Sequence, residues 1–451
     1  MKSRSLFSIL VAGLIAILAM LAGSSACGQN SQPPHYTVTD LGTLPDGPFS
    51  LAIGVNAHRM VIGASGLPDG TQHAVLWYRG SITDIGAPGL GGPNSGAFGV
   101  NERGQASGLA ETPNSDPNGE DFCGFGTHLI CLAFLWRGGV MTPLPTLGGN
   151  NGEAGQINNR GEVAGNAENT TLDPTCPPTG PQMFQEKPVI WKNGGVEELP
   201  TFGDDPDGWA FGINDRGQVV GASGICSTLN PDTGVYILSR HALLWEKGQA
   251  VDLGTLGGTG TFGPGNIGGE INNRGQVVGT SDLAGDTTFH AFLWTKETGI
   301  QDLQTLPGDL ASAGLGINDR GDVVGVSFDA SFNPRAFLRR NGVVVDLNNL
   351  ILPDSALYLL FAHGINSRGE IIGFGVNRAG EVHGFLATPC EGNDADSEGW
   401  QGYREHGYRR QNRRNAEGSH PAKRSRAGSA ATALQPIWSP AHRTAITVCK
   451  R

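Results

Sequence analysis

Ile213-Asn214-Asp215-Arg216-Gly217-Gln218-Val219-Val220-Gly221 reads as the end of one β-strand, a tight turn and the start of the next. Gly217 suits a left-handed backbone position that closes a hairpin. The Asn214 amide can satisfy the backbone groups of the turn. The pattern returns at Val55-Asn56, Val100-Asn101, Ile157-Asn158, Ile271-Asn272, Ile317-Asn318 and Ile365-Asn366. With Ile213-Asn214 included, the intervals between successive copies are 45, 57, 56, 58, 46 and 48 residues. Such self-similarity is the mark of a repeat architecture.

Each copy holds four strand-like pieces. The first ends at the Asn, and the second is of the type Gln218-Val219-Val220-Gly221. The third resembles His290-Ala291-Phe292-Leu293-Trp294, and the fourth Val251-Asp252-Leu253-Gly254-Thr255-Leu256. One such sheet cannot bury both of its faces. Radial stacking can, and a ring hides most edges. The expected fold is therefore all-β: a seven-bladed β-propeller over residues 36–389. The last copy stops after its third strand, Val382-His383-Gly384-Phe385-Leu386. An orphan fourth strand, residues 36–42, precedes the first copy and is expected to complete the last blade.

Composition agrees with many short strands. Gly is 70 of 451 residues and hydrophobic content is 38%. Lys2 and Arg4, the apolar run that follows and Ser24-Ser25-Ala26 read as a signal peptide over residues 1–26, with a linker over 27–35. Cys27 offers lipidation, and an uncleaved signal anchor is the other membrane contact the leader allows. No later segment is apolar enough to span a bilayer. The expected location is extracytoplasmic: secreted, periplasmic or on the cell surface.

The net charge of −11 is uneven. Residues 390–451 are basic and low in order-promoting residues, and are expected to be a disordered tail. About −18 is left on residues 36–389, which excludes nucleic acid as a partner of the body. Export makes disulfides the expected state of the cysteines. Cys123 and Cys131 are close in sequence, and a Cys176–Cys226 bridge would tie neighbouring insertions together.

The repeated residues resemble the HAF-repeat family of predicted bacterial extracellular proteins. The motif stands as His290-Ala291-Phe292. Degenerate forms are His73-Ala74-Val75, Leu132-Ala133-Phe134, His241-Ala242-Leu243, Arg335-Ala336-Phe337 and His383-Gly384-Phe385, and Lys187-Pro188-Val189 departs furthest. The blade is more loosely similar to a kelch-type unit. The resemblance implies an exported repeat protein and no particular activity.

Residues that recur with the ring are read as structural. These are the Asn residues, the turn arginines such as Arg160 and Arg320, and the third-strand tryptophans such as Trp191 and Trp245, which give way to Arg339 in copy six and Ala387 in copy seven. The departures from the repeat point to a site. Three adjacent copies carry long insertions between second and third strands, at residues 109–131, 166–186 and 222–240. In a propeller these lie on one face, where ligands bind. Candidate ligand-binding residues there are Asn114, Asp116, Asn118, Glu120, Asp204, Asp205 and Asp207. Alternating oxygens before a Gly make Asn114, Asp116 and Asn118 a candidate calcium loop, although Phe125 stands where a closing Glu would be. Asp204-Asp205-Pro206-Asp207-Gly208 is a second candidate. Neither a G-x-S-x-G elbow nor an H-E-x-x-H helix motif is present. The sequence thus favours a monomeric, non-catalytic binding or scaffold propeller for a glycan or protein ligand. A polysaccharide hydrolase or lyase with its site at the ring axis is the alternative.

Overall fold

The computed structural model describes residues 36–176, 182–226, 237–352 and 354–390. The leader, Cys27 and the basic tail lie outside the described residues. Seven four-stranded antiparallel sheets form a seven-bladed β-propeller. In blade one the strands are Ser50–Val55, Val61–Gly66, Gln72–Tyr78 and Ser81–Asp84. Blade seven takes its outermost strand from the start of the array. Tyr36–Asp40 pairs antiparallel with Val382–Pro389, in the register Tyr36 with Pro389 through Asp40 with Phe385. No helix of the described residues is long and apolar enough to cross a membrane.

The repeat is a set of linked bonds. Each Asn Oδ1 accepts backbone N–H groups within its own turn; Asn214 takes those of Arg216 and Gln218, both at 3.0 Å. Its Nδ2 donates to the carbonyl of the equivalent Asn in the next blade. These bonds run 56 to 101, 158, 214, 272, 318 and 366, then back to Asn56, at 2.9–3.3 Å. The seven side chains therefore form a closed circle. The turn arginines also bridge blades: Arg320 donates to the Ser367 carbonyl at 2.8 Å, and Arg160 to that of Asp215.

The glycine of the second strand has a steric cause. A Cβ on Gly63, Gly221 or Gly373 would lie 1.9 Å from a first-strand carbonyl. Each first strand carries a bulge beside it, as between Ala210 and Gly212.

The His of the tripeptide pairs with an Asp at or near the end of the fourth strand. His73 lies 2.8 Å from Asp84, His241 3.0 Å from Asp252 and His290 3.0 Å from Asp302. Arg335 takes the place of His in blade six and reaches Asp346 at 3.3 Å. The fourth strand is shorter than its sequence motif suggests. It ends at Asp252, because Asp252 Oδ1 accepts the Gly254 N–H at 2.8 Å and Gly254 turns left-handed. Apolar cores sit between blades. The Phe or its equivalent in each tripeptide is buried, and Trp191 and Trp245 bond the carbonyls of Pro145 and Pro200 in the loops that lead from the preceding blade.

In blades two and three the described parts of the insertions extend the ladders. The second and third strands run Ala106–Ser115 and Leu129–Arg137 in blade two, and Val163–Leu172 and Phe184–Lys192 in blade three. Disulfides join Cys123 to Cys131 within one insertion, and Cys176 to Cys226 between two. Two disulfides point to an oxidising compartment.

Candidate functional site

The first strands line the axis, and their bulged residues point into it. Ile53, Phe98, Gly155, Phe211, Gly269, Leu315 and His363 occupy this ring, around about 1050 Å³ of space that is partly open to solvent. The strands enter from the face that carries the insertions. Its wall is mainly apolar. The next position along each strand is Gly in five blades, but Gln156 and Glu270 in blades three and five. In both, the bulged residue is itself Gly, and a Cβ on Gly155 would sit 2.5 Å from the Phe211 carbonyl. The exchange moves a polar side chain into the channel.

Burial sets the chemistry of these groups. It pushes the Glu270 carboxyl up to about 8. It pulls His363 down to about 4, against the backbone hydrogen bonds that favour the charged ring. Near neutrality Glu270 is therefore mostly a neutral acid and His363 a neutral imidazole. His363 Nδ1 lies 3.1 Å from the Ile53 carbonyl, which can only accept, so Nδ1 carries the proton. Gln156 Nε2 donates to the Phe98 carbonyl at 3.2 Å.

The opposite mouth of the channel is polar. Beneath the Asn circle, the Glu102 N–H donates to Asn159 Oδ1, that of Asn159 to Asp215 Oδ1 and that of Asp215 to Asn273 Oδ1, at 2.7–2.9 Å. These side chains are engaged with one another's backbone and line a wide vestibule.

The residues singled out from sequence separate into groups. Asp116, Asn118 and Glu120 meet in one turn. Asp116 Oδ1 accepts the N–H groups of Asn118 (2.7 Å) and Glu120 (3.1 Å), and its Oδ2 accepts Asn151 Nδ2 at 3.0 Å. Glu120 accepts the backbone N–H groups of Met183 and Phe184, which ties the blade-two insertion to blade three. Asn114 is exposed on the ladder and Asp204 in its turn. Asp205 is buried, 2.8 Å from Ser223 Oγ. Asp207 is buried beside Asp173, which the sequence reading did not single out. Glu270, Gln156 and His363 were also missed. Their signal was the loss of the usual Gly before Ile-Asn in blades three and five, and a histidine two places before Ile365 in blade seven.

Fold and cavity together define a β-propeller with a largely apolar axial pocket. No family model matches the chain, and no curated protein does. Among solved structures it is similar to an arginine mutant of AofleA from Arthrobotrys oligospora, at 10% identity and a TM-score of 0.35, over 69% of this chain and 88% of that one. It is also similar to an Aleuria aurantia lectin mutant in complex with Fucα1-6GlcNAc, at 10% identity and a TM-score of 0.31, over 78% and 93%. Likeness at this level says nothing of a ligand.

Proposed function

We propose that the chain is an exported, non-catalytic binding propeller of HAF-repeat type whose axial cavity takes an uncharged glycan. One observation carries the reading: aromatic rings and neutral hydrogen-bonding groups share a single pocket. Phe98, Phe211 and Phe361 offer flat apolar surface to the C–H faces of a sugar. Protonated Glu270 and neutral His363 and Gln156 suit hydroxyl groups. The extracytoplasmic setting rests on the leader sequence and the two disulfides.

A glycan array probed with the full oxidised chain tests this. Neutral oligosaccharides should be retained, and Phe98→Ala and Phe211→Ala should each weaken retention by about tenfold, the equivalent of about 1.4 kcal/mol. Retention of acidic glycans only, or affinities unchanged in both variants, would overturn it. Capture of a protein that competes with no sugar would shift the reading to a protein ligand.

Glu270 and His363 in one cavity favour a second reading, a polysaccharide hydrolase or lyase with Glu270 as general acid. It expects new chain ends from a polysaccharide panel, lost in Glu270→Gln. No product from the wild type would sink it.

A further inference from the structure

Blades two, three and four present the same junction twice, with one atom changed. At the junction of blades two and three, Asp116 follows the extended second strand and faces Asn151, seven residues before the repeat Asn of blade three. Asn151 Oδ1 accepts the Cys131 N–H at 3.0 Å. Its Nδ2 donates to Asp116 Oδ2 at 3.0 Å and to Glu168 Oε2 at 3.1 Å. The amide thus supplies protons to buried carboxylates.

At the junction of blades three and four the equivalents are Asp173 and Asp207. Both pairs are in register: the N–H of Asp116 bonds the His128 carbonyl, and that of Asp173 the Met183 carbonyl, each at 2.9 Å. Asp207 Oδ1 accepts the Glu186 N–H at 2.9 Å, as Asn151 Oδ1 accepts that of Cys131. The donor is missing, however, because position 207 is Asp and not Asn. Two acceptors face each other. Asp207 is fully buried and Asp173 is 6% exposed. A carboxylate oxygen of each lies within 4.8 Å of the other. Asp207 Oδ2, Asp173 Oδ2 and the buried Gln182 Oε1 have no hydrogen-bond partner. Gln182 is held against Asp207, since its Nε2 donates to Asp207 Oδ1 at 3.1 Å and to the Phe184 carbonyl at 2.9 Å. A buried acceptor without a donor costs about 1–3 kcal/mol, and more when it is charged. Burial, and then the Asp173 carboxyl against it, pushes Asp207 well above the usual carboxylate range.

We propose that Asp173, Asp207 and the Gln182 side-chain oxygen form a divalent-cation site that joins the blade-three insertion to the start of the first strand of blade four. The donors are all hard oxygens, which suits Ca²⁺ with water in the remaining positions. Cys176 lies beside the pair, but its sulfur is bonded to Cys226 and is no thiolate. The cation replaces the proton donor that Asn151 provides one junction earlier. It sits beside the disulfide and fixes the same blade-three insertion to blade four.

The full oxidised chain, dialysed against EDTA and then against metal-free buffer, is titrated with Ca²⁺ by calorimetry and by thermal unfolding. One ion should bind. At about 100 times Kd it should raise Tm by about 4 °C. Asp207→Asn restores the Asp116–Asn151 arrangement at this junction. It should fold, abolish calcium binding and its Tm shift, and match or exceed the metal-free wild type in Tm. Asp173→Asn should also lose the ion and serves if Asp207→Asn does not fold. A wild type that takes up neither Ca²⁺ nor Mg²⁺ would show that the pair shares a proton instead, and would overturn the proposal. So would binding that survives in both variants and disappears in Asp116→Asn, which would place the ion in the blade-two turn.

Discussion

His383 Nδ1 lies 2.9 Å from Asp40 Oδ2, across 343 residues of chain. The same contact lies within one continuous blade at His241 and Asp252. In blade seven it joins the first described strand to the last. Asp40 also accepts the Gly42 N–H at 2.9 Å, so it both ends its strand and docks it.

Asp40→Ala should therefore act locally as well as globally. The equilibrium cost is about 1–2 kcal/mol, as for Asp252→Ala. Only Asp40→Ala should free a strand with no covalent tie to its neighbour. Hydrogen exchange at the amides of Tyr36–Asp40 should quicken more than at any strand of Asp252→Ala. Equal exchange in the two variants would sink the closure argument.

The Asn circle can be divided by two substitutions. Asn214→Asp keeps an acceptor for the turn N–H groups but loses the Nδ2 bond to the Asn272 carbonyl. Asn214→Ala loses both. Denaturant midpoints should fall in the order wild type, Asp, Ala, with the Ala variant about 2–3 kcal/mol below wild type. A neutral Ala variant would show that the circle is incidental.

Glu270 makes stability depend on pH. Its folded value of about 8 lies above the ordinary 4.5, so the folded state holds a proton that the unfolded chain releases. This stabilising difference is fully present below pH 4.5 and is lost as pH rises through 8. Glu168, raised to about 9, and Glu186 and Asp282, each raised to about 7, act in the same direction. Comparison with Glu270→Gln isolates one group. The variant should match wild type near pH 4.5 and exceed it by several kcal/mol, about 4 by linkage, near pH 8 in urea unfolding. A constant difference across pH would refute the assignment.

Loop length ranks the two disulfides. Cys176–Cys226 spans 50 residues and Cys123–Cys131 spans 8. Chain entropy alone gives about 4 kcal/mol for the longer bridge and about 2.5 for the shorter. The Cys176→Ser/Cys226→Ser pair should unfold at lower denaturant than the Cys123→Ser/Cys131→Ser pair. The reverse order would mean that the blade-two insertion depends more on its clip.

The blade count was legible because one residue type meets two demands at once. Asn56 and its six equivalents cap a turn and donate to the next blade, so their spacing records the ring. The closure was legible from Tyr36–Asp40, a fourth strand with no third before it. The insertions were visible, but their extended ladders were not. The axial chemistry was hidden because Gln156, Glu270 and His363 come from three blades and converge only through the strand bulges. Asp173 and Asp207 are likewise in different blades. Their meeting could have been inferred by aligning Asp116 with Asp173 and Asn151 with Asp207, since the amide of Asn151 bonds Asp116 and the next junction sets two carboxyl groups in those places.

The circle of seven amides also has an electrostatic consequence. Each N–H···O=C unit points the same way around the axis, so neighbouring units polarise one another favourably. In a helix such alignment accumulates into a macrodipole with charged ends. Bent into a ring, the seven vectors sum to nearly zero. The propeller gains head-to-tail reinforcement with no pole at either mouth, which leaves the field at the polar mouth to the acidic side chains of the vestibule.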